Sequence, residues 1–316
     1  MGKMKNSAFN PATLAGIFAI LAWSTNIAFC KSVMNELGDY QAMFLMNFFS
    51  GFIMLLLLLA RFRSEYFTRL KALSIRYYAG TGIFLFLNNT LLFLAVGLAT
   101  NEKELLIVTI CNYLWPILIY VIKIPVFRLK VRAIPFIISI ILGIIGVVLA
   151  FSQEYTLREL LDLARSLDDN FLAYLLALLT AVSWALYSNL TRKFVTDDDF
   201  AAVPLIFMLS GLPFLYLMVS RGEFEWRVLT SLYTNIELIY TILLPISLGY
   251  ILWNVAIKKG NKDLVVSLSF LIPLFSIFFI SLKFAVRPGM LTWIASLFLI
   301  TSAYLSYRTV NSGQDH

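Results

Sequence analysis

The strongest constraint on this chain is a repeating pattern of apolar runs, each about twenty residues long and bounded by a few charged residues. A helix rises about 1.5 Å per residue, so about twenty apolar residues span the hydrocarbon layer of a bilayer. Ten such stretches can be drawn, at about 12–34, 40–60, 76–98, 104–122, 131–152, 171–194, 200–220, 236–257, 263–283 and 289–307. Only 14% of the 316 residues are charged and the mean hydropathy is +0.84, whereas soluble domains are about 25% charged. The runs are too long for ten-residue alternating strands, which excludes a β-barrel. The expected fold is an all-α integral membrane protein with ten transmembrane helices.

Met1 to Asn10 is short and polar, and the apolar stretch behind it is too long for a signal-peptide core. The first helix is therefore expected to remain as an anchor. The two cysteines, Cys30 and Cys111, fall inside spans and read as reduced thiols. The only histidine is His316, so neither a histidine relay nor a histidine metal site is available, and no metal or cofactor is expected. With the N-terminus inside, cytoplasmic segments hold 17 of the 25 basic residues, and the opposite loops hold 12 of the 18 acids. That asymmetry places both termini in the cytoplasm. The net charge of +7 then suits anionic inner-leaflet lipid, and a nucleic-acid partner is not expected.

The two halves resemble each other. Leu14-Ala15 leading to Trp23 parallels Leu172-Ala173 leading to Trp184, and Asn101-Glu102-Lys103-Glu104 parallels Asn261-Lys262-Asp263. Pro116 and Pro273 follow at nearly matching distances. A five-span unit is odd-numbered, so its second copy enters the membrane inverted, an architecture common among secondary transporters. The expected organisation is a first repeat over 1–152, a linker over 153–170 and a second repeat over 171–316. Leucines at helical spacing in the linker allow either a helix on the membrane surface or a solvated tether.

Both prolines interrupt apolar runs. Each lacks an N–H and frees the carbonyl four residues back, on Asn112 for Pro116 and on Ser269 for Pro273. They are the candidate hinges. Four tryptophans, Trp23, Trp115, Trp184 and Trp253, fall mid-span, although tryptophan usually collects at interfaces, as is expected of Trp226 and Trp293. Polar or aromatic company lies within a turn of each: Ser24-Thr25, Tyr113, Tyr187, Tyr250 and Asn254. Four deep indoles on four spans suggest an aromatic-lined chamber. Asn88 and Asn112 add amides that either join helices or hold a zwitterion.

No Asp, Glu, Lys or Arg falls near a span centre. Glu102, Glu104, Asp263, Lys123 and Lys283 lie at span ends, where they are expected to reach the interface. This favours exchange or transport down a gradient over proton coupling. No Walker motif, metal cluster or catalytic triad is present, so no enzyme is expected. Small-residue faces, Ser139-x-x-x-Gly143 and Gly146-x-x-x-Ala150 on the fifth span and Thr292-x-x-x-Ser296 on the tenth, fit either internal packing or a dimer. The oligomeric state stays open.

Four motifs in order carry a family resemblance. They are Trp23-Ser24-Thr25, Asn112-Tyr113-Leu114-Trp115-Pro116, Trp184-Ala185-x-Tyr187 with Thr191 and Lys193, and Gly249-Tyr250-x-x-Trp253-Asn254 leading to Gly260-Asn261. With them the chain resembles the drug/metabolite transporter superfamily, EamA type, and within it the YddG-like aromatic amino acid exporters. The resemblance implies two inverted five-helix repeats around a substrate cavity lined by spans one, three, four, six, eight and nine. The matching positions make Trp23, Tyr113, Trp115, Trp184, Tyr187, Tyr250, Trp253 and Asn254 its expected lining. Asn88-Asn89 stands where enteric members of the family have a Tyr-Glu pair, which puts their substrate preference and any proton coupling in doubt here. The expected function is export of amino acids, aromatic or large neutral, across the inner membrane by alternating access. One alternative is a multidrug or cationic metabolite exporter of the same fold. Another is a non-transporting receptor or scaffold, marked by a chamber with no path to either face.

Overall fold

The apolar stretches fold as helices that break where proline or hydroxyl residues fall in mid-stretch. The computed structural model describes residues 10–100, 102–129, 131–151, 170–194, 199–224, 231–284 and 290–311. Asn10 starts the first helix, α1 (Pro11–Trp23), its side-chain oxygen accepting the Thr13 N–H at 2.8 Å. At Ser24 and Thr25 the helix breaks. Their hydroxyls donate back to the carbonyls of Ile20 and Ala22 at 2.8 and 2.7 Å, local bonds that compete with the backbone ladder and bend helices. The chain resumes as α2 (Asn26–Leu37) and turns at Gly38, whose φ of +79° a side chain would disfavour.

Then follow α3 (Asp39–Phe62) and the short α4 (Glu65–Ala72), pinned by a bond from the buried Tyr66 hydroxyl to the Ala201 carbonyl at 2.9 Å. Burial pushes that phenol up, so it stays a neutral donor. A π-helical turn at Tyr78–Gly82 joins α5 (Ile75–Tyr77) to α6 (Ile83–Leu98). Next come α7 (Glu102–Asn112), α8 (Trp115–Phe127), α9 (Ala133–Phe151), α10 (Phe171–Phe194) and α11 (Val203–Arg221). A second π-helical segment, Ile242–Leu248, which contains Pro245, connects α12 (Leu232–Thr241) to α13 (Gly249–Lys259). A 3-10 turn at Ser269–Leu271 connects α14 (Lys262–Leu268) to α15 (Ile272–Phe284), and α16 (Met290–Asn311) closes the order. No strand occurs among the described residues.

Among the described residues, seven helices or helix runs are long and apolar enough to cross a membrane: Pro11–Leu37, Asp39–Phe62, Ile75–Leu98, Ile107–Phe127, Phe171–Thr191, Val203–Arg221 and Leu232–Lys259. Ala133–Leu149 is apolar but shorter. The linker expected at 153–170 lies, apart from Asn170, outside the described residues, as does Trp226. Trp293 is exposed. Cys30 is a free, buried thiol and Cys111 a free, half-buried one.

The chain divides into two compact units that do not follow the halves of the sequence. The first comprises Met1–Thr25, Pro116–Leu160 and Leu248–His316; the second comprises Asn26–Trp115 and Leu161–Ser247. In the first unit α9 packs along α16. Ser302 donates to the Ser139 carbonyl at 2.7 Å, and a Cβ on Gly146 would stand 2.7 Å from Leu299. Ser139, Gly143 and Gly146 of the fifth span therefore serve close packing within the unit. In the second unit α3 packs on α11, α6 and α7 on α10, and α2 on α12. The π-helical segment is tied back to α3 by bonds between Ser50 and Ile242 and between Ser247 and Ser50, both 3.3 Å.

Three of the helix breaks are places where the chain leaves one unit for the other: Thr25 to Asn26, Trp115 to Pro116, and Ser247 to Leu248. Pro116 is the second residue of α8 and Pro273 the second residue of α15. A helix start needs no N–H donor there, which is why each proline is tolerated inside an apolar run. The Ser269 carbonyl freed by Pro273 is taken up by the Ile272 N–H in the 3-10 turn.

Candidate functional site

The mid-span aromatic residues fall into two groups, one in each unit. In the first unit Trp23, at the end of α1, meets two residues of α13. Its ring centroid lies 5.5 Å from that of Tyr250, edge-on, and 5.0 Å from that of Trp253. Gly249 makes this approach possible: a Cβ there would stand 2.6 Å from the Trp23 indole nitrogen. Asn254 is half-buried next to Trp253 on α13.

The second group is built on α10. Exposed leucines at 175, 178 and 179 mark the outer face of this helix, while Thr180, Ser183, Trp184, Tyr187, Ser188 and Thr191 form a buried polar and aromatic face. This is the reverse of a soluble amphipathic helix and suits a helix with lipid on one side and protein or water on the other. Trp115, the first residue of α8, meets Trp184 edge-on at 6.1 Å, and Trp184 meets Tyr187 at 5.4 Å. Tyr113 and Asn112, at the break before Trp115, are buried. Asn88 on α6 donates from its side-chain nitrogen to the Thr180 carbonyl at 3.3 Å, one turn before Trp184. That bond is an interhelical tie worth about a kcal/mol.

Two hydroxyls set this second group apart. Serines and threonines in these helices commonly donate to a carbonyl three or four residues back, as Thr109, Thr180, Ser210 and Thr241 do. The hydroxyls of Ser188 and Thr191 are buried and find no hydrogen-bond partner among the described residues. Buried polar groups are nearly always satisfied, so unspent ones beside aromatic rings mark a place where a ligand or water bonds. In the sequence Thr191 carries a signal only as part of a motif, and Ser188 only as the residue one turn beyond Trp184.

The charged residues require a correction. Lys123 and Asp263, expected to reach the interface from span ends, are instead buried at 4% and 7% exposure and paired with each other in the first unit. The Tyr120 hydroxyl donates to the Asp263 carbonyl at 2.9 Å and shares a 2.6 Å bond with Ser267. Pairing is the reason: a lysine and an aspartate buried together neutralise each other, which neither achieves alone in hydrocarbon. Glu237 on α12, which nothing in the sequence singled out, is also buried and accepts a 2.6 Å bond from the Ser32 hydroxyl of α2. Glu104 stays half-buried and bonds Thr100 and Asn170. No group of His, Cys, Asp and Glu among the described residues has the geometry to hold a metal ion.

Comparison with known proteins gives this arrangement a context. The chain is 24% identical over 271 residues to the aromatic amino acid exporter YddG of Salmonella typhimurium, covering 84% of this chain and 86% of that protein. It is likewise 24% identical over 266 residues to the aromatic amino acid exporter YddG of Escherichia coli, with the same coverage. One crystal structure shares the fold with a TM-score of 0.73 at 21% identity, over 96% of this chain and 100% of that one. Residues 171–308, in the second half of this membrane chain, match the model of the EamA-like transporter family, a family of transporters and not of enzymes.

Proposed function

We propose that the chain exports aromatic or large neutral amino acids, or related metabolites, across the inner membrane by alternating access. Ten crossings arranged as two inverted five-helix repeats, with both termini cytoplasmic, are the topology that goes with this reading. The observation that carries it is the second aromatic group. Indole and phenol faces on α8 and α10 suit a flat apolar side chain, and the unspent hydroxyls of Ser188 and Thr191 suit the polar end of the same molecule. The printed activity of the two exporters that the chain is similar to points to the same substrate class.

In this reading Asn112, Tyr113, Trp115, Trp184 and Tyr187 contact the substrate, with Asn88 holding α6 against the helix that presents them. Trp23, Tyr250, Trp253 and Asn254 meet it at another stage of the cycle. The breaks at Ser24-Thr25, at Pro116 and at Ile242–Leu248 absorb the backbone rotation of each cycle, because all three lie where the chain changes unit. Pro273 allows a further bend within the first unit.

The test is counterflow of labelled phenylalanine in proteoliposomes, challenged by a panel of unlabelled competitors. Aromatic and large neutral amino acids are expected to compete. Competition by organic cations alone would transfer the reading to a cationic cargo held by cation–π contact. Absence of any counterflow would remove transport altogether.

A further inference from the structure

We infer that Glu237 is the site at which this carrier exchanges a proton for its substrate. The inference rests on the transport reading above and adds a coupling ion to it. Glu237 is 3% exposed, on the second turn of α12, in a run long and apolar enough to cross the membrane. Its neighbours Ile236 and Ile239 are exposed and apolar, as on the lipid-facing side of a membrane helix, while Glu237 itself is turned to the buried side near the start of the run. An ionisable side chain held among such residues is costly and is kept where it moves or balances charge.

The surroundings suit a carboxyl that cycles between two states. As a carboxylate, Glu237 accepts the Ser32 O–H at 2.6 Å. As a carboxylic acid, its own O–H turns to donate, and the Ser32 oxygen accepts, because a hydroxyl serves either role. Phe29 and Tyr240 meet at 4.6 Å between ring centroids one turn away on the same two helices and shield this contact. The other titratable groups on the helices packed against α12 are Cys30, Lys31 and Glu36 of α2, Asp39 and Tyr40 at the start of α3, and Arg61 at its far end. Of these, Lys31 and Asp39 stand 3.9 Å apart, and Glu36 is exposed.

The position explains how protonation reaches the transport cycle. Ser32 belongs to the half-span that begins directly after the chain changes unit at Thr25 to Asn26. Glu237 belongs to the half-span that ends, through the π-helical segment, at the change from Ser247 to Leu248. The Ser32–Glu237 bond therefore ties together two half-spans that each lead into a break. A charge-assisted bond is about twice as strong as a neutral one, so the tie loosens when the carboxylate takes up a proton. In one cycle an O–H bond forms on Glu237 with a proton from the aqueous phase on one side. The same bond breaks on release to the other side, while one substrate molecule crosses in the opposite direction.

The test uses proteoliposomes of the full chain and three measurements. Counterflow of labelled phenylalanine without a gradient reports transport itself; its absence in the wild type would refute the transport reading, not this one. With the interior made acid, the wild type is expected to accumulate phenylalanine severalfold faster, and Glu237→Gln to keep counterflow but lose the acceleration. A wild type indifferent to the gradient, or a Glu237→Gln variant that still responds to it, would overturn the proposal. Should Glu237→Gln fail to fold, a pH-sensitive dye in wild-type vesicles decides: proton loss from the interior must accompany substrate uptake, and uptake without it contradicts the proposal.

Discussion

The two aromatic groups use nearly the same residues to different ends. In the first unit Trp23 is pressed onto α13, with Gly249 shaved to a hydrogen so that the indole fits, and its neighbours are rings. In the second unit Trp184 and Tyr187, met by Trp115 of α8, share their face of α10 with two hydroxyls that have no hydrogen-bond partner among the described residues. The first group is satisfied by packing. The second holds unspent hydrogen-bonding capacity beside an aromatic surface, and that is what a binding site for an amphipathic molecule requires. The difference between the units extends to their charges. The first unit has the buried Lys123–Asp263 pair, closed on itself, whereas the second has Glu237 bonded to a hydroxyl. In the proposed reading the second unit holds the main substrate-reading face, and the first meets the substrate at another stage through a group built chiefly on packing.

The contrast can be broken most forcefully at the ion pair. Lys123→Met leaves Asp263 buried without its cation and is expected to destabilise the protein by about 3–5 kcal/mol, read as a large fall in Tm in detergent. Lys123→Met with Asp263→Leu should recover most of it. A double variant that regains stability yet binds no substrate would give the pair a role beyond scaffolding.

Gly249→Ala comes next. A methyl 2.6 Å from the Trp23 nitrogen must displace the ring, which costs about 1–3 kcal/mol of stability. Turnover should fall, while substrate affinity should stay near that of the wild type; a large affinity loss would make the first group a reader as well.

Ser188→Ala with Thr191→Val sharpens the other side of the comparison. Removing hydroxyls that spend no bond in the fold should leave Tm unchanged or slightly higher, while the substrate loses about 1 kcal/mol, roughly fivefold in Kd. A lower Tm with unaltered Kd would mark the pair as structural. The smallest effect is expected from Pro116→Ala. It should slow turnover about threefold by stiffening the restart of α8, with little change in Kd. Unchanged turnover would remove the hinge at that break.

Some of this was legible in the residues. Helix over the apolar stretches followed from run length, and the two prolines marked breaks in the fourth and ninth spans because a missing N–H is readable from one letter. The break at Ser24-Thr25 and the π-helical turns carry no such mark, since they depend on hydroxyls bonding back and on packing against α3. The deep tryptophans were identifiable one by one, but not their division between units, which is decided by contacts between Trp23 and Trp253 and between Trp115 and Trp184 far apart in sequence. The Lys123–Asp263 pair was misread for the same reason. Each looked like a span-end charge, and only the fold brings residues 140 positions apart together to bury both. Glu237 sat at the edge of an expected span, where a carboxylate looks like a loop acid.

The account's central claim is that the second unit's aromatic face reads the substrate. It is tested most directly by measuring the Kd for phenylalanine in detergent for Trp184→Ala and Trp253→Ala side by side. Trp184 contacts two rings and is expected to cost about tenfold or more in affinity, and Trp253 no more than about threefold. Equal losses, or a larger loss at Trp253, would contradict the assignment.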